Sequence, residues 1–217
     1  MNRTLIALAF TALAVSPTTY SQEFVVSYDG FYDRLKIMAK GEYTYADLGF
    51  YLVDQNGDKC PIESGTIITK TNEYPLSYTA KSKLLLPFDE TLDKDKALIV
   101  VQPKQGAECQ LKMQIESSEQ YGDSVQIGNM TALTSEFENL MGRLSGFFMR
   151  TLFSFMMPEV NGVSLVFNQA VTTPINATEG IVCQGLRCTI ENPEKLDQSM
   201  RLTFSQPIEK VIPHIVK

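Results

Sequence analysis

Four residues carry chemistry that spacing can decide: Cys60, Cys109, Cys183 and Cys188. Thiols ligate zinc, exchange with other disulfides, or cross-link a chain. Zinc knuckles need two close pairs, and Cys60 and Cys109 lie far apart in sequence. Redox pairs usually enclose two residues, whereas Cys183 and Cys188 enclose four. Two structural disulfides are the remaining reading, with three pairings open on count alone. Closeness favours Cys183–Cys188, and the strand phase described below favours Cys60–Cys109. In a chain-entropy account the long loop contributes about 4 kcal/mol and the short one about 2 kcal/mol.

The acidic residues are the next candidates. Asp89, Glu90, Asp93 and Asp95 gather beside Lys94 and Lys96. Paired carboxylates can hydrolyse glycosides when rigid elements hold them face to face across a cleft. Here they share one apparent loop, so a solvated turn is expected, and Asp89 and Glu90 carry only an alternative reading as a hydrolase. Asp54, Asn56 and Asp58 open like a calcium loop, but Lys59 replaces the turn glycine and Gly65 the bidentate glutamate. The Asn56-Gly57 step predicts a hairpin turn instead. The single histidine, His214, rules out a multi-histidine zinc site and suits a surface or packing role. Nucleophile-elbow, phosphate-loop and dinucleotide-binding patterns do not occur, so no catalytic residue, cofactor or metal is predicted.

These residues sit in a chain that starts like a secretory protein. Arg3 is followed by an apolar stretch from Leu5 to Val15 broken only by Thr11, then by small residues at Thr19 and Ser21. That layout predicts a signal peptide over 1–21, with the mature protein starting at Gln22 in the periplasm or outside the cell. The apolar stretch is too short for a stable span, which takes about 20 residues. Cleavage removes Arg3 and no acid, leaving 18 basic and 25 acidic residues and a net charge of −7. Such an acidic balance argues against general binding to nucleic acid or anionic lipid.

Phe24 to Val26 reads as a strand, followed by a short helix. Phe31, Leu35 and Met38 recur on that helix, with Asp29 or Ser27 as cap and Gly41 as stop. Further strands are expected around 48–53, 66–69, 84–86, 97–101, 163–167, 200–204 and 211–212, with a tight strand pair around Cys183 and Cys188. The clearest alternation places Cys109, Leu111, Met113 and Ile115 on a core face and Gln110, Lys112, Gln114 and Glu116 on a wet one.

A long helix is expected over 133–157. Leu133, Phe137, Leu140, Met141, Leu144, Phe147, Phe148 and Phe155 share one side, Ser135 and Glu138 suggest a capping box, and Pro158 stops it. Gly142, Gly146, Met149 and Phe153 align on its back, as a candidate apolar contact for a partner or ligand. The fold class is therefore α+β, mainly antiparallel sheet with this helix. Residues 22–217 form a single domain, with two β-rich halves, 22–128 and 158–217, joined by the helix as its finer division.

Tyr28 to Lys40, Leu48 to Val53, Leu86 to Asp89 and Pro158 to Leu165 resemble a family of uncharacterised exported proteins of Gram-negative bacteria, a domain-of-unknown-function family. The resemblance covers most of the mature chain. It implies an envelope protein, matches Cys60 and Cys109 to the family's cysteine pair, and brings no catalytic residue. The expected function is a non-enzymatic binding or interaction module facing an envelope protein or an apolar ligand. A hydrolase of envelope polymers and a carrier of a lipid-like molecule are the alternatives.

Overall fold

The computed structural model describes residues 23–104, 108–146 and 159–216. It is an α+β protein dominated by antiparallel sheet. The first sheet is ordered β1 (Phe24–Ser27), β7 (Leu98–Pro103), β3 (Ile62–Ile68) and β4 (Glu73–Pro75). The second is ordered β5 (Ser77–Tyr78), β6 (Lys83–Leu85), β2 (Ala46–Val53) and β8 (Gln110–Ser117). The inner faces of both sheets share one apolar cluster with helix α1 (Asp29–Gly41). Ile67, Ile99 and Val101 enter it from the first sheet, Leu48, Phe50 and Leu52 from the second, and Phe31 from α1.

The third sheet is ordered β11 (Ile181–Gln184), β12 (Arg187–Glu191), β10 (Glu159–Phe167) and β14 (Ile208–Val216). A two-stranded pair, β9 (Ser124–Gln126) with β13 (Arg201–Thr203), completes the sheet structure among the described residues. Helix α3 (Ile127–Leu144) packs on β10 and buries Ile127, Met130, Leu133, Phe137 and Leu140. Their three- and four-residue spacing is the helical stripe that sequence periodicity can detect. Ile115, Met38 and Leu144 touch both apolar clusters and join the two parts of the molecule.

The expected helix therefore starts and stops elsewhere. It begins at Ile127, directly after β9, so Ser135 and Glu138 are exposed mid-helix residues rather than a capping box. The N-cap is Gln126, whose side chain makes no capping bond. β9 is held by its partner β13 from the distant C-terminal part, a pairing that local sequence cannot announce. At the other end α3 finishes at Leu144, and Gly146 takes a left-handed φ of 75° just beyond the Ser145 cap. The part of the expected helix over 147–157 lies outside the described residues.

Other expectations survive in detail. Gly57 has φ 85° in the turn after β2, and Asp54 accepts the Asn56 and Asp58 backbone N–H groups. Helix α1 does end at Gly41, although its left-handed cap is Glu42 and its start at Tyr28 has no side-chain cap. The supposed acidic loop is partly a helix, α2 (Glu90–Lys94). Both cysteine pairs lie at disulfide distance, Cys60 with Cys109 and Cys183 with Cys188. The second pair is directly opposed across the β11–β12 hairpin.

Candidate functional site

Strand β2 carries the site because of what alternates along it. Leu48, Phe50 and Leu52 face the shared core, so Asp47, Gly49 and Tyr51 face the other way. Register sets Glu116 of β8 opposite Asp47, and Lys83 of β6 opposite Tyr51. Strand β14 runs beside β8 and brings Glu209 and Lys210 to the same side. The presumed wet face of β8 is thus partly interior. Glu116 is only 5% exposed, while Met113, expected in the core, is 43% exposed at the sheet margin. Alternation along one strand reports which residues share a face, and the strand packed alongside decides which of them meets water.

A buried carboxylate needs partners, and Glu116 has them. Tyr51 Oη donates to its two oxygens at 2.6 and 2.8 Å, and Lys83 Nζ lies 2.7 Å from Oε1. Lys83 also reaches Asp47 Oδ2 at 2.8 Å. Gly49 makes room for this group. A Cβ there would stand 2.5 Å from the Tyr51 ring and 2.8 Å from the Glu116 carboxylate. Next to it Lys81 pairs with Glu209, which also accepts from Asn168 at 2.8 Å.

The electrostatics follow from burial and neighbours. Burial first, then the hydrogen bond to Glu116, pushes the Tyr51 hydroxyl well above the usual tyrosine range. Burial alone would lower Lys83, but its bonds to Asp47 and Glu116 outweigh that and raise it. Burial lowers Lys210, with nearby Lys112 adding to the effect and Glu116 opposing it. Burial would raise Glu209, but Lys81 and Asn168 hold it below the ordinary carboxylate range. Glu116 is engaged as an acceptor, and Tyr51 holds its proton towards it in a fixed geometry.

The residues singled out from sequence fall elsewhere. Asp89 is the N-cap of α2, accepting the Thr91 N–H at 2.7 Å, and its own N–H bonds to the buried Tyr28 hydroxyl. Glu90 is exposed and pairs with Lys94 one turn on. His214 Nε2 lies 3.7 Å from Glu191 Oε1. Gly142 is half-buried in α3, and Gly146 lies beyond its end with open space around it. Met149 and Phe153 lie outside the described residues. An open cleft of about 390 Å³ borders the first cysteine pair, between Asp54–Asn56, Lys59–Pro61 and Glu108. Its acids are engaged locally, Asp54 by the turn and Glu108 by Gln55. Among the described residues no group of His, Cys, Asp or Glu is arranged to hold a metal ion, and no helix is long and apolar enough to cross a membrane.

Sequence reasoning missed Tyr51, Lys83 and Lys210 altogether. The only local signal was Tyr51 itself, a polar-tipped residue alternating with Leu and Phe on the strand expected around 48–53.

These features define an α+β protein of antiparallel sheets with two cysteine pairs and a polar network where two sheets meet. The chain belongs to the family described as protein of unknown function DUF2987, which matches residues 20–167. That span holds the first cysteine pair and the Tyr51–Lys83–Glu116 group, and it ends with β10. No curated protein and no solved structure matches the chain.

Proposed function

We propose that this chain is an exported, non-enzymatic interaction module of the cell envelope, and that the outer face of its first sheet is the contact surface for another protein. The observation behind it is a largely apolar sheet face left partly exposed among the described residues. Val25, Val100 and Thr66 lie in register across three strands, as do Ser27, Leu98 and Ile68. Their neighbours Ile99, Val101 and Ile67 point into the core, so this set points out. Val25 is 50% exposed and Leu98 41%. Contiguous exposed apolar surface on a folded protein marks an interaction site. A flat sheet face suits a protein surface better than a small molecule, which prefers a concavity. The two cysteine pairs support an oxidising compartment.

The rival readings have less behind them. Asp89 and Glu90 serve a helix cap and an exposed ion pair, which does not favour hydrolysis. The inner stripe of α3 is buried within its cluster, with Leu133, Phe137 and Leu140 fully buried, and none of these residues is offered on the surface as a ligand face.

The test uses a photo-crosslinking residue at position 98 in the producing cell. A discrete adduct should form there, none should form from exposed Thr203, and Val25→Lys should abolish it without lowering the Tm. Val25→Lys protein that folds and still gives the same adduct, or position 98 protein that gives none, overturns the proposal.

A further inference from the structure

Three lysines converge on one tyrosine. Tyr51 has Lys83 directly across from it on β6 and Lys112 directly across on β8. Opposed residues of antiparallel strands share a face, with Cβ atoms roughly 5 Å apart. The Lys83 ammonium lies 5.9 Å from the Tyr51 ring centre, and that of Lys210, from β14, lies 5.8 Å from it. An aromatic face attracts a cation, but only weakly where water can reach it.

The acids nearby fall one short of this charge: Lys81, Lys83, Lys112 and Lys210 stand against Asp47, Glu116 and Glu209. Asp47 and Glu116 are both engaged by Lys83, and Glu116 also takes the Tyr51 hydroxyl. Glu209 is engaged by Lys81 and Asn168. Among the described residues, neither Lys112 nor Lys210 has a carboxylate within ion-pair distance. Burial disfavours the charged form of Lys210 and the Lys112 charge adds to that, while Glu116 and Glu209 favour it. Like charges held together on a rigid sheet are stabilised by an anion placed between them.

We propose that Lys112 and Lys210, with the Tyr51 ring as floor, form a binding site for a phosphate monoester. Two ammonium groups without an ion-pair partner among the described residues can each meet a separate oxygen of a phosphate monoester, which carries about −1.5 to −2 at neutral pH. Lysine recognises phosphate as a point charge and needs no planar fork. Gly49, Glu116 and Lys83 serve the site by fixing the ring. This side of the second sheet is turned away from the core it shares with the first sheet, so the site is separate from the apolar contact face.

The experiment is amide NMR titration of the mature protein at constant ionic strength. The probes are inorganic phosphate, glycerol 3-phosphate, and phosphatidylcholine vesicles with and without phosphatidic acid. Saturable shifts confined to the neighbourhood of Tyr51, Lys112 and Lys210 are expected. Lys210→Gln and, separately, Lys112→Gln should each weaken binding by about tenfold, equivalent to about 1.4 kcal/mol, while Lys104→Gln should not. Lys112 is exposed, so its variant tests the site even if Lys210→Gln fails to fold. Binding of glycerol 3-phosphate supports a soluble ligand, and binding of phosphatidic acid vesicles alone supports a lipid headgroup. No saturable binding of any probe, shifts scattered over all surface lysines, or unchanged affinity in Lys112→Gln overturns the proposal.

Discussion

Single residues decide how this protein holds charge inside. Two tyrosines illustrate the point. Tyr121 is pushed up from 10.0 to about 12, chiefly by burial, and Tyr51 is pushed higher still by burial and by Glu116. A group whose folded pKa lies above its unfolded value keeps its proton longer in the native state. Its contribution is fully present below pH 10 and is lost as pH rises through the folded value. Stability should therefore fall between pH 10 and pH 12, the window that Tyr121 sets. Denaturant unfolding at a series of alkaline pH values would show it. Tyr121→Phe and Tyr51→Phe should each flatten the decline, and an unchanged slope would contradict the assignment.

Elements are tied together by side chains that reach backbone. Glu136 of α3 accepts three successive N–H groups ahead of and at the start of β2. Thr44 donates at 3.1 Å, and Tyr45 and Ala46 each at 2.8 Å. Tyr43 adds a bond to Asn139 at 2.8 Å. A carboxylate on backbone N–H groups makes the stronger, charge-assisted kind of hydrogen bond. Removing it leaves donors in a half-buried loop without their acceptor. Glu136→Ala should cost about 2–3 kcal/mol in urea unfolding, and Glu136→Gln less, because an amide keeps one acceptor oxygen. A loss under about 0.5 kcal/mol for Glu136→Ala would mean that water replaces the carboxylate freely.

At the scale of the whole molecule, the C-terminal strands are structural partners of the family-matched part. The match to residues 20–167 ends with β10, yet both sheet neighbours of β10, strands β12 and β14, come after it. So do Ile190, Leu202, Phe204 and Val211, which fill the cluster under α3. A fragment of 20–167 would expose that cluster and both edges of a central strand. It should bind a hydrophobic dye and lack a cooperative thermal transition, whereas residues 22–217 should show one transition. A fragment that melts cooperatively would show that the two apolar clusters fold independently.

Much of this architecture was written locally. The alternation along 110–116, the Asn-Gly turn and the three- to four-residue stripe from Leu133 to Leu144 each follow from short-range geometry. They placed strands, a turn and the body of a helix, though not its ends, because burial of one face imposes a period on the residues and an Asn-Gly step admits a positive φ. Closeness in sequence likewise anticipated Cys183–Cys188, and strand phase Cys60–Cys109. The start of α3 was hidden because β9 and its partner β13 are 75 or more residues apart along the chain. The candidate site was hidden for the same reason. Asp47, Lys83, Glu116 and Lys210 are ordinary surface residue types, and only strand register and the path of β14 bring them round Tyr51. Periodicity along the chain fixes which way each side chain points; which side chains then meet depends on pairing between distant strands, and that is decided only when the whole molecule packs.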